Sequence, residues 1–203
     1  LNMSLGTSMN NYYDIVEALI EGIPQLSKAF YGSAGLSDQR AYYQKQVDFV
    51  NTALLGNPAV IQAYGRYVET TREAAQQGKT IVVAAGNWQR YSNEKSALGV
   101  ALPDCGALNI LGLSSDVVAV GASSTQGTPS NLRDDTVASF SSRGGSAFPV
   151  TLATQGVNVA IPYSLFVHWG GPVSGTSFSA PLVAGTVALM LQQNPNLTFA
   201  QIK

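Results

Sequence analysis

Two short segments of the chain are continuously apolar and rich in β-branched residues, and they constrain the fold more than any other feature. They span residues 80–85 and 117–122. A strand with one face in water alternates polar and apolar residues, whereas a strand of a parallel sheet is covered on both faces and is apolar throughout. Because helical patterns alternate with these strands, the sequence predicts an α/β fold of three layers: a mostly parallel sheet with helices on both faces.

The predicted helices carry recognisable start and stop signals. One helix is predicted over residues 58–77, with Pro58 in the first turn, where no N–H is needed, and Gly78 as the C-cap. Thr198 and Gln201 have the spacing of a capping box that opens another helix. The remaining predicted elements are helices around residues 15–20 and at 41–55 and 177–193, and short strands at residues 1–6, 138–142, 157–162 and 165–173.

The composition argues against several kinds of partner. Charged residues make up only 11% of the chain and the net charge is −1, which gives no electrostatic basis for binding nucleic acid or an anionic membrane. No apolar run reaches the roughly 18 residues that a membrane-spanning helix needs. The single cysteine, Cys105, excludes an intrachain disulfide. We therefore expect no nucleic-acid and no membrane partner.

Two polar residues stand where a parallel sheet presents ligand-binding groups. Ser177 follows a tight Gly-Thr turn and opens a long apolar helix, where orphan N–H groups and the helix dipole favour developing negative charge. Asn87 follows Gly86 at the carboxyl end of a buried strand, the edge at which such sheets bind ligands. Each has a structural alternative when taken alone, because serine is a common N-cap and asparagine a common turn residue.

Both residues belong to longer motifs that together resemble the subtilisin family of serine proteases (subtilases). The segment GTSFSAP at residues 175–181, followed by LVAG, is similar to the family's nucleophile motif, and the strand that ends in Gly-Asn is similar to its oxyanion strand. The resemblance implies a serine endopeptidase that forms an acyl-enzyme on Ser177, with Asn87 in the oxyanion hole. It also implies a set of residues that bind the peptide or protein substrate: Ser4, Leu5 and Gly6 along the peptide, Ala84, Ala85 and Gly86 in the wall of the primary specificity pocket, and Thr176.

The resemblance also implies a domain organisation. Residues 1–203 are expected to form the C-terminal part of one subtilisin-like peptidase domain, with a helical insertion at about residues 7–58. Asn87 distinguishes the chain from the sedolisin type of carboxyl protease, which is similar but has an aspartate at that position. Phe178 stands where the family commonly has methionine, and Leu182 where it often has histidine.

The general base that Ser177 needs is missing from these motifs. In the family the order along the chain is Asp, His, Ser, with the first two upstream of the substrate strand at which this sequence begins. The only histidine, His168, is predicted to lie in a hairpin and not to act as the base. We expect the Asp and His to come from an N-terminal fragment or segment, and the resulting protease to be secreted or extracytoplasmic. The alternative is a catalytically silent subtilisin-fold module that binds peptides along residues 4–6.

No cofactor is predicted from the chain. Members of the family often bind calcium, and Asp134 and Asp135 are adjacent carboxylates. Side chains of neighbouring residues point in different directions, however, and calcium takes about six or more oxygen ligands. We interpret this pair as part of a solvated loop and predict no metal ligand.

Overall fold

A five-stranded sheet is the central layer of the part of the chain that the structure describes. The computed structural model describes residues 1–3, 39–50, 52, 56–104, 107–128, 131, 133–160 and 172–203. The five strands are β1 (Asn2–Met3), β2 (Val82–Ala84), β3 (Val118–Ser124), β4 (Thr136–Val137) and β5 (Leu152–Gln155). A separate antiparallel pair consists of β6 (Val159–Ala160) and β7 (Pro172–Val173).

The sheet is mostly parallel. Strands β1, β2, β3 and β5 are parallel neighbours in the order β1-β2-β3-β5, and β4 alone is antiparallel. Val120 of β3 pairs with Ala84 on one side and with Leu152 on the other. Strand β4 pairs with the end of β3, beyond the last residue of β2.

In the described part of the chain, five α-helices and one 3₁₀ turn accompany these strands. The helices are α1 (Gln39–Val50), α2 (Pro58–Gln76), α3 (Gln89–Ala97), α4 (Thr176–Gln193) and α5 (Phe199–Ile202), and the 3₁₀ turn is Ile110–Gly112. Helix α2 starts at the Asn57 side chain, which accepts a hydrogen bond from the Ala59 N–H at 2.9 Å. It ends at Gln76 with Gln77 as the C-cap, one residue before the predicted cap Gly78, which has a φ of 71° that glycine adopts readily. The predicted capping box at Thr198 and Gln201 is present at the start of α5.

Helices cover both faces of the sheet. Three residues of α4, Ala180, Val183 and Val187, pack against one face, formed by alternate residues of β2 and β3. The intervening positions, including Val83, pack on the opposite face with Ala74 of α2. Successive strand residues point to opposite faces, so a segment buried on both sides has to be apolar throughout. The predicted three-layer α/β architecture is confirmed.

One predicted strand is absent, and the strands β4 and β5 and the helix α3 were not predicted. Residues 138–142 do not form a strand, because the Ser141 N–H bonds back to the Ala138 carbonyl at 2.9 Å and the Ser142 N–H bonds to Gly86 at 2.9 Å. These bonds make a turn. Helix α3 was not predicted, because its sequence QRYSNEKSA offers no continuous apolar face.

Several predictions lie outside the described residues. They concern Ser4, Leu5 and Gly6, the helix around residues 15–20, His168, Cys105 and most of the strand at 165–173. Within the ranges given above, no helix is long and apolar enough to cross a membrane.

Candidate active site

The turn that presents Asn87 depends on glycine at position 86. Gly86 has a φ of 106°, and a Cβ atom there would lie 2.3 Å from the Trp88 ring and 3.1 Å from Ser142 Oγ. Only a residue without a side chain fits this backbone and this space. The chain therefore turns sharply after β2, and Asn87 is exposed at the carboxyl end of the strand.

The turn that presents Ser177 is anchored to the end of β5. The Gly175 N–H donates to the Gly156 carbonyl at 2.8 Å, and the buried Ser179 hydroxyl lies 3.1 Å from the Thr154 carbonyl and 3.2 Å from the Gln155 carbonyl. Gly175 is the N-cap of α4, with a φ of 157°. Ser177 consequently lies in the first turn of an 18-residue helix, where the dipole favours negative charge.

Thr176 joins the two turns. Its backbone N–H and its hydroxyl both donate to Asn87 Oδ1, at 3.0 and 3.1 Å. Its hydroxyl oxygen also accepts from the Gly86 N–H at 3.1 Å. These bonds connect residues 89 and 90 positions apart and place Asn87 beside Ser177's immediate neighbour. They also determine the orientation of the amide: Oδ1 is the acceptor toward Thr176, so Nδ2 is available as a donor elsewhere.

The amide nitrogen of Asn87 lies close to the start of α4. A Cβ atom on Gly175 would be 3.4 Å from Asn87 Nδ2. The glycine therefore leaves open the space between the amide nitrogen and the nucleophile turn. This arrangement can supply an N–H donor and the positive end of a helix dipole to an oxygen that gains charge near Ser177.

Asn109 supports the backbone that leads into the Asn87 turn. It is almost fully buried, and its Nδ2 donates to the Ala84 carbonyl at 2.9 Å. Its backbone N–H donates to the Ala85 carbonyl at 2.8 Å, and its Oδ1 accepts from the Leu111 N–H at 3.1 Å. The carbonyls of Ala84 and Ala85, at the end of β2, therefore both have hydrogen-bond partners, which keeps this segment ordered.

Ser142 supports the other side of the same turn. Its backbone N–H donates to the Gly86 carbonyl at 2.9 Å, and its hydroxyl accepts from the Trp88 N–H at 3.2 Å. Gln89 adds two more contacts to the same segment. Its N–H donates to the Phe140 carbonyl and its Oε1 accepts from the Arg143 N–H, each at 3.1 Å. Sequence analysis assigned no role to Asn109 or Ser142; it placed Ser142 only at the end of the predicted strand 138–142.

Two tyrosines of α2 hold the 3₁₀ turn that carries Leu111. The Tyr67 hydroxyl donates to the Leu111 carbonyl at 2.6 Å, and the Tyr64 hydroxyl donates to the Leu113 carbonyl. Burial, and to a lesser degree the neighbouring Tyr64, raises the pKa of Tyr67 to about 12. Tyr67 is therefore a neutral donor at ordinary pH, and it braces the turn next to Asn109.

The predicted pocket wall is well ordered and buried. Ala84, Ala85 and Gly86 are all buried, and the Ala84 methyl belongs to the core cluster under α4. Their contact with a substrate stays a prediction, as does that of Ser4, Leu5 and Gly6, which the structure does not describe. Among the residues it does describe, no group of three or more His, Cys, Asp or Glu is arranged to hold a metal ion. Asp134 instead accepts a hydrogen bond from Thr128 Oγ1 at 2.6 Å.

Comparison with known proteins identifies the family. Serine protease AprX of Bacillus subtilis (strain 168) is 37% identical over 152 residues, which are 67% of this chain and 31% of that protein. The chain therefore spans about a third of the length of this relative. The crystal structure of a cold adapted subtilisin-like serine proteinase is 27% identical and matches with a TM-score of 0.41, covering 64% of this chain and 38% of that one. The family model of the subtilases matches residues 2–203, so the chain belongs to the subtilase family.

Proposed function

We propose that this chain is the nucleophile-bearing part of a serine endopeptidase, with Ser177 as the nucleophile and Asn87 as the side-chain donor of the oxyanion hole. The observation that carries the proposal is the double hydrogen bond from Thr176 to Asn87 Oδ1. A turn-forming asparagine needs no such partner. Two donors on one amide oxygen, next to the candidate nucleophile, fix the direction of the amide N–H groups, which is what an oxyanion donor requires.

The chemistry proposed for the site is acyl transfer. Ser177 Oγ attacks the scissile carbonyl carbon while its proton passes to a general base, and the carbonyl oxygen becomes an oxyanion stabilised by Asn87 Nδ2 and the first turn of α4. The base then gives the proton to the leaving amine, and an acyl-enzyme on Ser177 remains. A water molecule, deprotonated by the same base, releases the acid and restores the serine.

The general base is proposed to be a His–Asp pair that a segment outside this sequence supplies. The outer face of α4 supports this idea. Leu182 and Leu189 are seven positions apart on the helix side opposite the core, and they are 46% and 64% exposed. Exposed leucines on the helix that carries the nucleophile are suited to cover by another apolar element. A base-bearing segment packed there would cover the helix that carries Ser177.

The substrate is proposed to be a peptide or protein segment in extended form. Residues 4–6 follow β1, which is the first strand of the sheet and is paired on one side by β2 within the described residues. A strand edge can accept a peptide through main-chain hydrogen bonds. We further propose that Ala84, Ala85 and Gly86 line the primary specificity pocket, that the enzyme is secreted or extracytoplasmic, and that it uses no cofactor.

A labelling experiment tests the proposal. The assembled enzyme, meaning this chain together with the segment that supplies the base, should react with a fluorophosphonate probe at Ser177 and should cleave peptides. Ser177→Ala should abolish the labelling and nearly all turnover, while Thr186→Ala, which removes an exposed hydroxyl nine residues further along the same helix, serves as the matched control that keeps the labelling. Peptide binding without labelling or cleavage would favour the catalytically silent module and would overturn the proposed activity.

A further inference from the structure

We propose that Ser142 is a positioning residue that holds the Asn87 amide in the orientation required at the oxyanion. The inference rests on the function proposed above for Asn87 and extends it to a residue that hydrogen-bonds the backbone on either side of Asn87. Ser142 is buried, with 1% of its surface exposed, and lies 55 positions after Asn87 in a turn that the sequence predicts as a strand.

The two hydrogen bonds of Ser142 lie on either side of Asn87. The backbone N–H of Ser142 holds the carbonyl of the preceding residue, Gly86, at 2.9 Å. The hydroxyl of Ser142 holds the N–H of the following residue, Trp88, at 3.2 Å. One buried residue therefore binds the backbone immediately before and immediately after Asn87. The direction of the Asn87 side chain is set by this short span of backbone.

The backbone at Asn87 needs such support, because the side chain itself has little packing. Asn87 is exposed, and Gly86 before it has no side chain to restrict its φ and ψ angles. Thr176 holds the amide at its oxygen, and Ser142 holds the backbone from which the side chain projects. Loss of the Ser142 hydroxyl leaves the Trp88 N–H without this acceptor, so the turn can relax and the amide nitrogen can move from its position near Gly175. Misplacement of a catalytic group by about 1 Å can cost about 100-fold in rate.

Ser141 provides a matched control. It is the adjacent residue, equally buried, and its hydroxyl also accepts from one backbone N–H, that of Ala122 in β3 at 2.9 Å. Ser141→Ala and Ser142→Ala therefore remove the same group from the same turn. A purely structural role predicts similar kinetics for the two variants, and a positioning role predicts a difference that is confined to Ser142.

The test is a comparison of kcat and KM in the assembled enzyme. Ser142→Ala should lower kcat about tenfold with KM unchanged within about twofold, less than the loss of about 100- to 1,000-fold expected when an oxyanion donor is removed outright. Ser141→Ala should keep kcat within about twofold. Thermal unfolding of both variants, with Ser177→Ala added to prevent self-cleavage, shows whether their folds are equally affected.

A double-mutant cycle identifies the route of the effect. In an Asn87→Ala background the Ser142→Ala change should no longer lower kcat, because the group that it positions is gone. If Ser142→Ala does not fold, Ser142→Cys is measured instead; its thiol sulfur is a weak acceptor, and the same kcat loss and the same coupling are expected.

The failures of the two proposals are distinguishable. An assembled wild type that neither labels nor cleaves overturns the proposed function. An active wild type in which Asn87→Ala lowers kcat, while Ser142→Ala behaves like Ser141→Ala, overturns only the role of Ser142. If Ser142→Ala lowered kcat equally in the wild-type and Asn87→Ala backgrounds, the role of Ser142 alone would likewise be overturned.

Discussion

Replacement of Thr176 by valine tests the junction between the two turns most directly. The side chain is fully buried, and valine has nearly the same shape, so the change removes a hydroxyl and leaves no cavity. Two contacts are lost: the hydroxyl no longer donates to Asn87 Oδ1 and no longer accepts from the Gly86 N–H. The backbone bond from Thr176 N–H to Asn87 Oδ1 remains.

The expected magnitudes follow from those contacts. A buried N–H left without a partner costs about 1–3 kcal/mol, so the free energy of unfolding should fall by about 2 kcal/mol. Asn87 keeps one of its two anchors, so the chemical step should suffer less than it would from loss of the donor. The reference value for that loss is the one known for subtilisin, about 100- to 1,000-fold in turnover. We expect about a tenfold lower kcat for Thr176→Val, equivalent to about 1.4 kcal/mol.

Urea unfolding and steady-state kinetics measure the two effects separately. Unfolding is followed in a Ser177→Ala background, and kcat in the active enzyme. Thr176→Ser is the control, because it keeps the hydroxyl and loses only a methyl group, worth about 0.8 kcal/mol. If valine and serine gave the same kcat and the same unfolding free energy, the hydroxyl would have no role at this junction and the reasoning would be refuted.

Three further predictions concern other parts of the molecule. Burial raises the pKa of Tyr67 to about 12, from an ordinary value of 10.0. The stability that its neutral form contributes is therefore complete below pH 10 and should decline as the pH rises to 12. Between pH 9 and pH 11, urea unfolding should show a smaller loss of unfolding free energy for Tyr67→Phe than for the wild type. Leu189→Lys on the exposed face of α4 should weaken co-purification with the base-bearing segment, whereas Ile61→Lys, also exposed but on α2, should not; equal retention would argue against that face. Phe178 cannot form a sulfoxide, so the wild type should retain more activity than Phe178→Met at matched peroxide doses, and equal sensitivity would contradict this.

The two central strands of the sheet and the helices on its two faces could be predicted because their signals are local, whereas β4 and β5 were not predicted. β2 lies within the first continuously apolar segment, and β3 begins in the second and extends two residues beyond it, to Ser124. Burial of these strands on both sides predicts helices on both faces of the sheet. The ends of α2 and the start of α5 follow from residues next to them in sequence. By contrast, α3 has a polar sequence and is determined by what packs around it. Lys95 in that helix is buried, with its Nζ 5.1 Å from the Tyr43 ring of α1.

The residues of the candidate site also fall into those that local sequence motifs mark and those that only the structure identifies. The motifs at residues 86–87 and 175–181 marked Asn87 and Ser177, and the structure brings their turns together through Thr176. The catalytic roles of these residues stay predictions. The roles of Asn109 and Ser142 could not be found from the pattern, because each holds backbone that is 24 or more positions away. A buried polar residue in a loop has no periodicity, and its partners become visible only in three dimensions.

The groups that orient Asn87 and the proposed base belong to different segments, so substitutions in the two should affect the activity differently. The groups that orient Asn87 all lie within this chain: Thr176 from α4, Ser142 from the turn after β4, and Asn109 from the segment before β3. The base, in contrast, is proposed to come from a segment outside this sequence. Substitutions at Thr176 and Ser142 should therefore act on the chemical step whichever segment supplies the base, while changes on the outer face of α4 should act on assembly. If the first group of substitutions lowered only kcat and the second lowered only assembly, the oxyanion half of the site would be preorganised before the base is added.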